Sequence, residues 1–118
     1  MVKWSTELDI KTQRIREHVL VKLSGRLDIT QSDEVESHLA KDVLSGEGDI
    51  IIDLGAISYI SSSGIRIFVG MVRELNKQGR KLKLCNITTP VRKVFDVVEL
   101  LDLFDVYETE QDAISSLD

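Results

Sequence analysis

The chain has 118 residues, 42% of them hydrophobic, a formal net charge of −5 and one cysteine, Cys85. A domain of this length buries roughly two-thirds of the surface its unfolded chain exposes, so residues 1–118 read as one domain that needs no disulfide or metal staple. The acidic balance is the wrong sign for nucleic-acid binding, a lone cysteine makes no zinc site, and no run approaches the ~20 apolar residues of a membrane span. The start, Met1 to Glu7, carries no signal-peptide core, and a cytoplasmic, reducing setting is expected.

Val2, Trp4, Thr6, Leu8 and Ile10 alternate with polar residues, the period of a half-buried strand. A second strand is expected from about Glu17 to Ser24, with the polar stretch Lys11 to Arg16 as a long hairpin loop between the two. Thr30 with Asp33 resembles a capping box for a first helix carrying Val35, Leu39 and Val43. Asp49 to Leu54 holds a continuous β-branched run, which predicts a central strand packed on both faces or deeply on one. The serines at 61–63 open a second helix in which Ile65, Phe68, Val69, Val72 and Leu75 fill the i, i+3, i+4, i+7 pattern up to about Gly79. Lys81 to Cys85 alternates as a further strand. Thr89-Pro90 reads as an N-cap with proline at the first helical position, ahead of Val91, Val94, Phe95 and Val98. Phe104 to Tyr107 fits a short last strand, and Thr109 with Asp112 a last helix bearing Ala113, Ile114 and Leu117.

The predicted fold is therefore α/β, in the order β-β-α-β-α-β-α-β-α, with a small mixed sheet and helices mainly on one face. In such sheets sites form outside the carboxyl ends of the strands. Asp28, the Ser61–Gly64 turn and the Asn86–Thr89 turn all follow strands and are expected to converge on one rim.

The serine run has a plain reading, since a helix cap uses one hydroxyl, here Ser62 or Ser63. Gly64 argues for more, because glycine in a first turn weakens a helix unless another backbone comes close. No catalytic serine is indicated: the glycine pattern of a nucleophile elbow is missing, and neither His18 nor His38 has the spacing of a base. No metal ligands or cofactor motif stand out, and glycine-rich phosphate loops are missing. Asp28 reads either as a turn carboxylate favourable to the next helix start or as a functional acid, whereas Asp53 reads as a carboxylate bonded to nearby backbone. Gly46-Glu47-Gly48 reads as a turn. Arg66, Gly70, Arg73 and Lys77 fall on one exposed stripe of the second helix. Arg66 lies one turn from Ser62 and Ser63, within reach of a phosphate placed there.

Gly25-Arg26-Leu27-Asp28, Ile51-Ile52-Asp53-Leu54, Ile57 through Ile65, Leu84-Cys85-Asn86 and Val91 through Phe95 together resemble the bacterial anti-sigma factor antagonists of the STAS domain class. The likeness covers almost the whole chain. It implies a non-enzymatic, phosphorylation-controlled partner switch: the unphosphorylated antagonist binds an anti-sigma factor that is a serine kinase, frees a sigma factor, and is reset by a serine phosphatase. The phosphate acceptor it implies is Ser63, immediately before the glycine, with Ser62 second. Partner contacts would fall on Asp28, Ser61, Ser62, Ser63, Gly64, Ile65 and Arg66. Members of the class commonly carry Asp where this chain has Ser61, a departure that bears on kinase recognition rather than on the fold. Two other readings are a STAS scaffold subunit that is not phosphorylated, in a regulatory or transport assembly, and a small-molecule or nucleotide-binding module using the strand-end rim.

Overall fold

The computed structural model describes residues 8–117, apart from the side chains of Ile29 and Val43. Its elements are β1 (Leu8–Ile15), β2 (His18–Leu27), α1 (Ile29–Ser45), β3 (Ile50–Ile60), α2 (Ser62–Lys77), β4 (Leu82–Cys85), α3 (Thr89–Val98), β5 (Asp105–Tyr107) and α4 (Glu110–Ser115). The expected α/β order is observed, with an additional 3₁₀ turn at Leu101–Leu103. The sheet runs β1-β2-β3-β4-β5, antiparallel between β1 and β2 and parallel elsewhere.

Three parallel connections return across one face as α1, α2 and α3, and the main core lies between them and the sheet. Val35 and Leu39 of α1, Ile65, Phe68 and Leu75 of α2, and Phe95 of α3 are fully buried there. Phe95 meets Phe104 edge to face, with ring centroids 5.8 Å apart. The β-branched run behaves as expected of a central strand, since Ile50, Ile51 and Ile52 all have 0% exposure. Ile50 and Ile52 face the main core, while Ile51 joins Leu20, Cys85 and Ala113 in a smaller core under α4 on the opposite face. That cover also buries Lys83, which a simple alternation would leave wet; its ammonium donates to Ser116 Oγ at 2.9 Å and Tyr107 Oη at 3.2 Å.

The hairpin differs from expectation. Residues Leu8 to Ile15 are all strand, the turn is only Arg16-Glu17, and Ile15 pairs with His18. Lys11 to Arg14 of this edge strand are exposed on both faces and show no apolar alternation to read, and Arg16 makes the tight turn by adopting φ 57°. The expected strand positions Val2, Trp4 and Thr6 lie outside the described residues. Gly46 is the C-cap of α1, and the stretch through Gly48 connects it to β3. His18 is buried and structural, its Nδ1 accepting from the Asp49 N–H at 2.8 Å, whereas His38 is exposed on α1.

Candidate functional site

β2 and β3 end side by side, because Leu27 and Ile60 are register partners in a parallel pair. The Ser61 N–H donates to the Leu27 carbonyl at 3.0 Å, so α1 and α2 start from adjacent points on one rim. Asp28 and the Ser61–Gly64 turn thus converge as expected. The Asn86–Thr89 turn does not share their level. β4 has only four residues and stops at Cys85, opposite Asp53, so this turn is set back along β3 by the stretch from Leu54 to Ile60. Asn86 Nδ2 donates there to Asp53 Oδ2 at 3.1 Å, and Asp53 Oδ1 accepts the Gly55 N–H at 2.9 Å. Asp53 is in this way tied to its own neighbourhood.

The capping box of α1 is Asp28 with Gln31, two residues before the expected Thr30 and Asp33. Asp28 Oδ1 accepts from the Thr30 N–H at 2.9 Å and from the Thr30 hydroxyl at 2.7 Å. Gln31 Oε1 accepts the Asp28 N–H at 3.0 Å. The extended backbone of Asp28, φ −128°, marks it as the residue before the first helical turn. The hydrogen bonds from Thr30, its side chain first, hold the Asp28 carboxyl below the usual carboxylate range; burial opposes them, and the Arg26 guanidinium adds the smallest lowering effect.

The cap of α2 is Ser61, neither Ser62 nor Ser63. Its Oγ accepts the Gly64 N–H at 3.1 Å, and its carbonyl accepts the Ile65 N–H, also at 3.1 Å. Ser and Asp are about equal as N-caps, so Ser61 preserves the local geometry while leaving one negative charge fewer on the rim. Ser62 is exposed and Ser63 half-buried, and among the described residues neither hydroxyl makes a hydrogen bond. Their backbone N–H groups occupy the first helical turn, where no intrahelical acceptor exists. The close backbone that Gly64 implied is internal: an added Cβ would sit 2.8 Å from the Leu27 carbonyl oxygen and 3.0 Å from Leu27 Cγ. Gly64 is buried and Ile65 has no exposed surface. Arg66 is exposed, and Gly70, Arg73 and Lys77 continue its stripe down the helix.

Two rim residues were not anticipated. Arg26 and Tyr59 are register partners one position before the strand ends, and the guanidinium carbon lies 4.3 Å from the ring centroid. Arg26 Nη2 is 3.9 Å from Asp28 Oδ2. Both sit inside the sequence segments quoted above, but their stacking depends on a strand register that a single sequence does not display.

Cys85 is buried, and burial, followed by Asp53 and Glu110, pushes its thiol up to about 12, so it is no nucleophile at neutral pH. Among the described residues no three His, Cys, Asp or Glu side chains cluster as metal ligands, and no helix is long and apolar enough to cross a membrane. A helix start with spare N–H donors and two unbonded hydroxyls suits an anionic group.

The family model for the STAS domain matches residues 9–113. The chain belongs to the STAS domain family. This STAS domain is 31% identical over 101 residues to the anti-sigma-B factor antagonist of Staphylococcus epidermidis, a match covering 86% of this chain and 94% of the relative. Among solved structures it is similar to the anti-sigma factor antagonist SpoIIAA in its unphosphorylated form, with TM-score 0.76, 28% identity, and coverage of 91% of this chain and 94% of that one. It is also similar to the Bacillus cell fate determinant SpoIIAA in its phosphorylated form, with TM-score 0.70, 26% identity, and coverage of 91% and 97%.

Proposed function

We propose that this STAS domain works as a single cytoplasmic unit, an anti-sigma factor antagonist in a phosphorylation-controlled partner switch, with no catalysis of its own. Unmodified, it binds an anti-sigma factor that is a serine kinase and so frees a sigma factor. Ser63 receives the phosphate, with Ser62 the alternative acceptor, and a serine phosphatase removes it. Relatives named as antagonists, one of them solved in a phosphorylated form, support this reading.

The observation that carries it is the division of labour in the turn at 61–64. Ser61 is spent on the cap and Gly64 is packed under Leu27, while Ser62 and Ser63 keep their hydroxyls. A phosphate at Ser63 adds about −1.5 to −2 charges beside the positive end of α2, which favours it by roughly 0.3–2 kcal/mol. The fold therefore tolerates the modification. A partner surface complementary to the neutral rim does not, because like charge or an undesolvated phosphate costs several kcal/mol at an interface.

Incubation with the cognate kinase and ATP, followed by intact mass and peptide mapping, tests the reading. Wild type is expected to gain one phosphate on Ser63, and Ser63→Ala none. No gain on wild type would end the switch and leave a scaffold role.

A further inference from the structure

Helices α1, α2 and α3 cover one face of the sheet, and the six residues of α4 cover part of the other. A helix this short does not hold in water by itself, so α4 stays in place through its contacts. Its apolar grip is small: Ala113 is buried, Ile114 and Leu117 are half-buried, and with them pack Leu20, Ile51 and Cys85 of the sheet. Polar side chains fasten both ends. At the far end Lys83 of β4 donates to Ser116 Oγ and to Tyr107 Oη of β5. At the near end Glu110 Oε2 lies 3.3 Å from Lys22 Nζ of β2, and the Glu110 carboxyl hydrogen-bonds that of Asp53 on β3.

Two carboxyl groups share a hydrogen bond only if one of them holds a proton. Asp53 already accepts from the Gly55 N–H and from Asn86 Nδ2, as a carboxylate does, so Glu110 is the donor. The Asp53 carboxyl, and then burial, hold the Glu110 pKa above its ordinary value, against the pull of Lys22. The Cys85 thiol on β4 also feels the charge of Glu110.

We propose that α4 is a proton-gated strap over Cys85. While Glu110 carries its proton it is fastened to Asp53; when the proton leaves, two carboxylates face one lysine, and α4 opens more often and bares the sheet face around Cys85. Lys22 does not restore the hold, because it is 54% exposed and a wet ion pair contributes little. With the folded pKa of Glu110 raised, the hold is complete below the unfolded value near 4.5 and is lost as pH rises through the folded value. The core under α1, α2 and α3 lies on the opposite face and stays packed, so the opening is local. This device is independent of which serine takes the phosphate.

Cys85, the one cysteine of the chain, reports the opening. The full chain is labelled with a dithiodipyridine, which reacts with thiols in mild acid, beside Glu110→Gln, whose amide donates to Asp53 at every pH. Comparing the two at each pH cancels the pH dependence of the reagent. They are expected to label alike at about pH 4, and wild type at least about threefold faster at about pH 7. Lys22→Gln, which leaves the two carboxylates without their lysine, is expected to widen that ratio, and Lys22→Arg to keep it. Hydrogen exchange in α2 is expected to be equal in all variants, and to report an opening at least about tenfold rarer than the one read at Cys85. A labelling ratio that stays constant or falls as pH rises overturns the proton gate. Labelling at Cys85 that needs the same opening as exchange in α2 overturns the strap.

Discussion

The amino termini of α1 and α2 leave adjacent strands at the same level, yet they are finished differently. At α1 a charged cap and a reciprocal glutamine satisfy both ends of the turn, through Asp28 to Thr30 and Gln31 back to Asp28. At α2 the cap is a neutral serine, and the position that Gln31 fills in α1 is taken by Gly64, which has no side chain to reciprocate. The first helix start closes on itself. The second keeps backbone donors and hydroxyls in hand, and this is what separates a structural cap from a place to add charge.

Several substitutions sharpen or break that contrast. Gly64→Ala drives a Cβ against the Leu27 backbone and is expected to destabilise the domain most, by about 1–3 kcal/mol in urea unfolding. A neutral result would mean that α2 does not sit on β2 as described. Ser61→Ala removes the α2 cap, at a cost of about 1 kcal/mol in the same assay. Ser61→Asp restores that cap and adds about 0.3–1 kcal/mol from the helix dipole, so a clear loss of stability would contradict the assignment of Ser61 as N-cap. Gln31→Ala leaves the Asp28 N–H without its partner and is expected to cost about 0.5–1.5 kcal/mol, with α2 untouched.

The smallest effect is one of pH. Because hydrogen bonding depresses the Asp28 pKa in the folded state, its contribution is present above the unfolded value near 3.8 and is lost as pH falls through the lower folded value. The melting difference between wild type and Asp28→Ser is therefore expected to be flat above about pH 4.5 and to narrow below it. A difference that widens on acidification would reverse the sign of this account.

Much of this was legible in the chain, for physical reasons that differ by element. The three isoleucines of β3 and the apolar period of α2 are strong signals because burial selects them directly. Cap positions were misplaced wherever several small polar residues compete, as at Asp28 and Thr30, at Ser61 to Ser63, and at Thr88 and Thr89, where Thr88 is the N-cap of α3 and Pro90 falls one residue later than expected. Only the tertiary path decides which of them turns extended. The strand from Lys11 to Ile15 is hard to read because Lys11 to Arg14 are exposed on both faces of the edge and carry no apolar pattern. Strand length was equally hidden: that β3 outruns β4 keeps Asn86 beside Asp53 and away from Ser61. The Arg26–Tyr59 pair was least legible, because register shifts between Lys22 and Ser24 and between Gly25 and Arg26 set which residues meet.

The central claim is that phosphate on Ser63 changes partner binding and leaves the fold alone. Calorimetric titration of the anti-sigma factor kinase with the unphosphorylated chain and with the chain carrying phosphoserine at 63, alongside their melting curves, tests it most directly. The account predicts similar melting and an affinity at least about 100-fold lower for the phosphorylated form, the equivalent of several kcal/mol of like-charge and desolvation cost. Equal affinities with both chains folded would contradict it.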